Sequence, residues 1–155
     1  MPILFDGMLL ADYHQIYLED AAISASLPAI WRDGDVEARI LVGKHSVTFA
    51  TARNLSVPVR VELHDVKPEI DARTADHIVV GNFLTLGKIV IAGLLDYIPE
   101  AKHADVPAGN LCAMAVSTGL GTLSEDGIQG DDRYSIHLWP CEQKGVTVLR
   151  QWQNK

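Results

Sequence analysis

The sequence predicts an all-β fold, a single-domain antiparallel β-sandwich of about nine short strands. Two observations lead to this prediction. Apolar and polar residues alternate with period two along most of the chain, and turn residues separate the alternating runs roughly every 8–12 residues. No segment keeps a helical period over several turns. The 155 residues are predicted to form one domain, residues 1–155, and 48% of them are hydrophobic and available for a core.

The first three predicted strands follow from side-chain alternation and from the turns that precede them. Residues 10–18 place two tyrosines on one face and aliphatic side chains on the other. Residues 36–42 follow an Asp-Gly turn, and residues 46–51 follow the hairpin-sized break Gly-Lys-His. Between the first two strands, residues 21–31 have room for one helical turn.

The residue pattern in the middle of the chain predicts three further strands. In residues 57–63, aliphatic side chains alternate with charged ones, and Pro58 marks either the beginning of a strand or an edge strand. Residues 65–74 are polar and predict a loop. Residues 77–84 and 88–92 are two β-prone runs separated by a Leu-Gly step.

The last three predicted strands cover residues 111–118, 134–139 and 146–151. A long connection with two prolines, residues 96–108, precedes the first of them. Residues 119–132 join the first to the second, and we name this segment the acidic loop.

The acidic loop combines four glycines with the four acids Glu125, Asp126, Asp131 and Asp132. Calcium takes about six to eight oxygen ligands from closely spaced acids and glycine turns, so the loop is a candidate calcium site. Its spacing departs from that of an EF-hand. The favoured alternative is an acidic docking surface for a partner. A third interpretation makes the paired acids, with Glu125, the carboxylates of an unrecognised hydrolase.

Aromatic and polar side chains suggest a partner-binding surface. Tyr13, Gln15 and Tyr17 share one face of the first predicted strand, and tyrosine suits binding surfaces because it joins apolar area to a polar tip. His137 and Trp139 share a face of the strand at residues 134–139, predicted to be exposed. The alternative for both faces is ordinary exposed polar and aromatic surface.

Glu62 and His64 lie on the same face of one predicted strand. They are candidates for metal ligands or for an acid–base pair. The favoured interpretation is a polar row that faces solvent on a half-exposed strand.

Cys112 and Cys141 are the only two cysteines and do not form a C-x-x-C pair. This usage lacks the density of a disulfide scaffold, so they are predicted to be buried, reduced thiols.

The net charge and the absence of known catalytic motifs reduce the number of functional classes to consider. The net charge of −7 and the scattered basic residues argue against nucleic acid and membranes as partners, and favour a basic protein. No phosphate-binding glycine motif, G-x-S-x-G elbow or zinc motif is present. The N-terminal residues do not resemble a signal peptide, and no apolar run is long enough for a membrane helix, so a cytoplasmic location is expected.

Four short segments form a recognisable pattern: D-Y-H-Q-I at residues 12–16, D-H-I-V-V at 76–80, V-P-A-G-N-L at 106–111 and Y-S-I-H-L-W-P at 134–140. In these segments the chain resembles bacterial proteins related to competence protein J. The resemblance implies a small acidic β-protein that binds another protein, since competence protein J is an inhibitory partner of a DNA-entry nuclease. It supplies no catalytic residues, and the chain departs from it in the acidic loop.

The leading functional hypothesis is therefore a non-enzymatic cytoplasmic binding protein without a cofactor, an inhibitor or immunity-type partner of a nuclease or other basic protein. The alternatives are a calcium- or small-ligand-binding β-domain that uses the acidic loop, and a carboxylate-dependent hydrolase.

Overall fold

The computed structural model of the chain describes residues 2–23, 31–93 and 101–153. Within these residues eleven strands form two sheets, and one short helix, α1 (Asp33–Ala38), lies outside them. In chain order the strands are β1 (Ile3–Leu10), β2 (Gln15–Asp20), β3 (Ile40–Val42), β4 (Ser46–Ala50), β5 (Ser56–Leu63), β6 (His77–Thr85), β7 (Lys88–Gly93), β8 (Lys102–Asp105), β9 (Gly109–Thr118), β10 (Arg133–Pro140) and β11 (Thr147–Arg150).

The larger sheet, sheet A, has the strand order β1-β5-β10-β9-β6-β11. Its strands pair antiparallel, as predicted, except for β5 and β10. These two run parallel, with Val61 beside Ile136 and Glu62 beside His137. The reason for the exception is topological: β5 and β10 are far apart in sequence and are not joined as a hairpin, so no turn imposes antiparallel pairing.

The smaller sheet, sheet B, has the order β3-β4-β2-β7-β8, and all its pairs are antiparallel. The main core contains inward side chains of both sheets. Sheet A contributes Val59, Val61, Phe83, Leu111, Ile136 and Leu138, and sheet B contributes Ile16, Leu18, Phe49, Ile89 and Ile91. These residues alternate with outward ones along each strand, which is why period two predicted the all-β sandwich correctly.

The outer face of sheet A carries a second apolar cluster. Ile78, Val80, Met114 and Trp139 belong to it, and Ile70 packs against them from the segment before β6. The predicted loop at residues 65–74 therefore covers part of this face.

The first predicted strand, residues 10–18, is divided in the structure. β1 ends at Leu10, and Tyr13 and His14 both have positive φ, 56° and 61°, inside the 3-10 turn Asp12–His14. Period two cannot detect such a break, because a single turn of positive φ leaves the alternation of side chains intact on each side. The strand Ile3–Leu10 was not predicted.

The predicted strand at residues 36–42 is also corrected, because its first half is the end of α1. The backbone N–H of Arg32 donates to Asp35 at 3.0 Å, which closes the helix N-terminus, and Arg39 ends the helix with φ +64°. Only Ile40–Val42 continues as a strand.

Two predictions fall partly outside the described residues. The helical turn proposed for residues 21–31 lies mostly there, as do residues 96–100 of the predicted long connection. The remainder of that connection contains β8, which pairs with β7 and ends sheet B.

Cys112 and Cys141 form a disulfide with a Cα–Cα distance of 5.8 Å, so the expectation of reduced thiols was wrong. Trp139 lies opposite Cys112 and Pro140 opposite Leu111, and Cys141 therefore follows the end of the β9–β10 ladder at bonding distance. Cysteine spacing does not reveal this proximity, because it depends on the register of the two strands.

Candidate functional site

The acidic loop connects β9 and β10 and is closed tightly at its base. Gly119 has φ +70°, and a Cβ atom there would lie 2.3 Å from the carbonyl oxygen of Asp131. Only glycine accommodates both this backbone conformation and this close approach. The two ends of the loop are thereby held against each other.

Asp132 anchors the loop to the protein interior. Its fully buried carboxylate accepts a hydrogen bond from Arg53 Nε at 2.6 Å and another from the Tyr134 hydroxyl at 2.7 Å. The Tyr134 hydroxyl in turn accepts from the backbone N–H of Ala52 at 2.6 Å. Burial and the Asp132 carboxylate raise the pKa of Tyr134, so it remains a donor.

A second guanidinium lies near this anchor. Burial lowers the pKa of Arg39, while the neighbouring Tyr134 and Asp132 oppose the shift. Arg39 Nε and Nη2 are buried and have no hydrogen-bond partner among the described residues. Asp132 thus forms an ion pair with Arg53 and also attracts the charge of Arg39, with which it makes no hydrogen bond.

The tip of the acidic loop is ordered by its own hydrogen bonds. The backbone N–H of Ser124 donates to the carbonyl of Gln129 at 2.7 Å, and the Ser124 hydroxyl donates to Asp126, which lowers the pKa of that carboxyl. The carboxylates of Glu125, Asp126 and Asp131 remain exposed, and Ile128 on the same loop is 56% exposed. The loop therefore presents one large apolar side chain and three carboxylates to solvent.

The four acids of the predicted calcium site do not form one group. Asp132 points into the interior and its oxygens are occupied by Arg53 and Tyr134, whereas Glu125, Asp126 and Asp131 face solvent. Asp132 as a calcium ligand is therefore corrected, because a buried ion pair already uses it. Calcium binding by the other three stays a prediction.

The predicted partner-binding residues lie in different places. Tyr13 is 65% exposed and Gln15 is half-buried, but Tyr17 is buried against Val90 on the outer face of sheet B. β2 lies in the middle of that sheet, between β4 and β7, so its side chains have neighbours on both sides. Of these three, Tyr13 is therefore the side chain that presents most surface to a partner.

The expected exposure of His137 and Trp139 was wrong. His137 is 7% exposed and Trp139 5%. β10 is an interior strand of sheet A, and the cluster that includes Trp139 also contains Met114 and Ile70. Alternation showed correctly that these side chains face away from the core, but it did not show that other residues cover that face.

Burial brings His137 into a second candidate site with Glu62 and His64. His64 Nε2 lies 2.9 Å from His137 Nδ1 and 3.8 Å from Glu62 Oε1, and the three ligand-type atoms lie within 4.8 Å of one another. Within residues 2–23, 31–93 and 101–153, no other group of three or more His, Cys, Asp or Glu side chains converges in this way. We name it the His-His-Glu cluster.

The pKa of His137 in the His-His-Glu cluster is set by burial and by three neighbouring charged or titratable groups. Burial lowers the pKa of His137, Glu62 raises it, and His64 and Arg60 lower it further. Arg60 Nε also donates to Glu62 Oε2 at 2.9 Å, which directs the other oxygen of that carboxylate toward the histidines. Sequence reasoning found Glu62 and His64 but missed His137, because only the parallel register of β5 and β10 makes it their neighbour.

A third histidine, His77, fixes the C-terminal segment. Its Nε2 lies 2.7 Å from the carbonyl of Ala38, to which it donates, and its Nδ1 accepts from the backbone N–H of Trp152 at 3.0 Å. Burial, together with the nearby Arg39, lowers the pKa of His77. The neutral ring with hydrogen on Nε2 is the form that satisfies both partners.

This arrangement predicts acid lability. Because the pKa of His77 is depressed in the folded protein, the unfolded chain binds the proton first, and stability falls as the pH drops below about 6.5. His77 contributes a slope of at most about 1.4 kcal/mol per pH unit. Urea unfolding from pH 7.5 to 5 measures it. The slope will be smaller in His77→Gln and unchanged in a variant of an exposed histidine, His103→Gln; equal slopes in wild type and His77→Gln would contradict the assignment.

The described part of the chain contains no candidate for a membrane-spanning helix.

The fold and the acidic loop define the class of protein. It is an all-β protein of two sheets, with an exposed acidic loop that is anchored by the buried contacts of Asp132.

Two solved structures share this fold. The crystal structure of ComJ from Bacillus subtilis, an inhibitor of the DNA degrading activity of NucA, superposes with a TM-score of 0.68 at 16% sequence identity, over 90% of this chain and 98% of ComJ. The crocagin biosynthetic gene J product superposes with a TM-score of 0.59 at 20% identity, over 92% of this chain and 98% of that one. The resemblance to competence protein J is thus confirmed at the level of the fold.

Sequence comparison adds nothing to this likeness. No protein-family model matches the chain, and no curated protein matches it significantly in sequence.

Proposed function

We propose that this chain is a non-enzymatic binding protein that inhibits a nuclease or another basic protein, and that the acidic loop contacts the partner. The observation that carries the proposal is the exposure of Glu125, Asp126 and Asp131, together with Ile128, on a loop anchored by Asp132. The fold likeness to an inhibitor of a DNA-degrading enzyme supports the choice of a nuclease as partner.

Electrostatics favours this kind of partner. A nuclease binds the DNA backbone with lysine and arginine, so its substrate-binding surface attracts an acidic protein. The net charge of −7 adds long-range attraction that accelerates association at low salt. An inhibitor that covers such a surface blocks DNA without any chemistry of its own.

The acidic loop is already ordered in the unbound protein. Glycine closure at Gly119, the Ser124–Gln129 hydrogen bond and the Arg53–Asp132 ion pair hold the loop before any partner arrives. A preordered loop loses less conformational entropy on binding than a free one. Ile128, exposed on the same loop, supplies an apolar contact for the partner.

The cytoplasmic location remains part of the proposal, and the disulfide weighs against it. Disulfides persist mainly in oxidising compartments. Alkylation of free thiols in cells before lysis would decide the point: trapped Cys112 and Cys141 thiols support the cytoplasm, and an intact disulfide contradicts it.

Neutralising the loop will weaken inhibition. In Glu125→Gln/Asp131→Asn, two exposed carboxylates become amides, and the dissociation constant for the partner is expected to rise about tenfold at low salt, mainly through slower association. The matched control, Asp105→Asn/Glu142→Gln, changes the net charge equally on other exposed strands and turns. The assay is degradation of linear DNA by a candidate nuclease from the same organism, with the two proteins also titrated calorimetrically.

Two results would count against the proposal. If the wild-type chain neither slows DNA degradation nor binds the nuclease, the nuclease is not the partner. If the loop variant and the control variant lose the same affinity, net charge and not the acidic loop is responsible.

A further inference from the structure

The His-His-Glu cluster has the composition and placement of a metal site that is separate from the acidic loop. Glu62 and His64 are two residues apart on and just after β5, so they share its outward face. The parallel pairing sets His137 of β10 beside Glu62, and the backbone N–H of His64 donates to the carbonyl of Leu138 at 2.7 Å. The three side chains thus come from two adjacent, hydrogen-bonded strands, which hold their backbones rigidly.

The distances are close to those of a coordination shell. Zinc binds nitrogen at about 2.0–2.1 Å, so two ligands in a tetrahedral shell lie roughly 3.3 Å apart. His64 Nε2 is 2.9 Å from His137 Nδ1 and 3.8 Å from Glu62 Oε1, values on either side of that spacing. The third pair of atoms lies within 4.8 Å, so the side chains must draw together for one ion to contact all three.

Arg60 supplies the outer support that metal-binding carboxylates usually have. Its Nε donates to Glu62 Oε2 at 2.9 Å, which leaves Oε1 as the oxygen nearer His64. Hydrogen bonds of this kind orient ligands and raise affinity. The side chains of His64 and Glu62 are only 9% and 13% exposed, so they are partly shielded from competing water.

From this geometry we propose that Glu62, His64 and His137 bind one divalent transition-metal ion, with zinc the expected species. Two imidazole nitrogens and one carboxylate form a ligand set that zinc accepts, with the fourth position left for water or another ligand. Calcium and magnesium prefer all-oxygen shells and are excluded by the two nitrogens. The site does not depend on the proposed inhibitor function.

A pocket gives solvent access to one of the three ligands, His64. His64 lines a pocket of about 330 Å³ together with Pro2, Asp65 and Lys67. Glu62 and His137 are not among the residues that line it, so the pocket reaches the cluster on the side of His64. In the absence of metal, the contact between His64 and His137 is an ordinary hydrogen bond whose direction depends on the tautomer.

The test is titration with zinc alone, using the full chain with its disulfide intact after treatment with a chelator. One zinc ion per chain is expected to bind, and at about a hundredfold excess over the dissociation constant the melting temperature should rise by roughly 5–10 °C. Cobalt(II) should give the visible absorption of a four-coordinate site, abolished by zinc. Magnesium and calcium should leave this cluster unchanged.

Variants link the binding to these residues. His137→Gln is expected to weaken zinc about 100-fold or more, and Arg60→Ala, which removes only the support, about tenfold. The exposed His103→Gln is the control and should bind zinc like the wild type. Because His137 is buried, Glu62→Gln serves as a second, milder variant if His137→Gln fails to fold.

Three outcomes would overturn the proposal: no zinc bound, a stoichiometry or affinity unchanged in both Glu62→Gln and His137→Gln, or equal losses in the His103→Gln control. Any of them would leave the cluster as a hydrogen-bonded histidine pair beside an ion pair.

Discussion

Replacing Asp132 with asparagine should lower the free energy of unfolding by about 3–5 kcal/mol, the cost of breaking a buried ion pair by removing one partner. Asp132 is fully buried, and Arg53, whose side chain is 12% exposed, donates to it at 2.6 Å. Without the carboxylate, the charge of Arg53 loses its partner, and the nearby Arg39 loses its attraction to Asp132. The loss will appear as a lower urea midpoint with an unchanged slope.

The neighbouring residue provides the control. Asp131→Asn makes the same chemical change one position earlier, on an exposed side chain, and should alter stability by no more than about 0.5 kcal/mol. If Asp131→Asn and Asp132→Asn were equally destabilising, the loop as a whole would be responsible. Equal stability of Asp132→Asn and the wild type would show that the ion pair adds nothing.

Removing the disulfide should have the second-largest effect. Cys112 and Cys141 are 29 residues apart in sequence, and a closed loop of that size limits the unfolded chain by about 3–4 kcal/mol on the loop-entropy model. We therefore expect Cys112→Ala/Cys141→Ala, or reduction of the wild type, to lower the free energy of unfolding by about 2–4 kcal/mol.

The measurement compares urea unfolding of the oxidised and reduced chain, with thiol titration of each sample. Reductant should leave the midpoint of the Cys112→Ala/Cys141→Ala variant unchanged, which controls for effects of the reductant itself. Two free thiols in protein purified under oxidising conditions would contradict the disulfide and restore the prediction of buried, reduced cysteines.

Both predictions concern contacts between residues distant in sequence, and the sequence indicated neither. Asp132 was predicted to be an exposed loop acid because it follows three others in a glycine-rich segment. Its burial depends on Arg53 and Tyr134 meeting it from the β4–β5 connection and β10. Local charge density shows that a loop is acidic but does not show which of its acids turns inward.

The alternating pattern, by contrast, determined the strands well. Val57, Val59 and Val61 are buried on β5 while Arg60 between them is exposed, as period two requires. The physical reason is local: successive side chains of a strand point to opposite faces whatever its partner strand is. The same alternation is sufficient to place Glu62 and His64 on one face.

The sequence alone therefore determined the all-β class, most strands, the acidic balance and the position of the acidic loop. Only the tertiary structure decided that β5 pairs in parallel with β10, that His137 joins Glu62 and His64, and that Asp132 and the disulfide lock opposite ends of β10. Alternation specifies which face of a strand each side chain lies on, but it does not specify which strand pairs with it. Strand partners and register depend on packing across the whole chain, which no local pattern records.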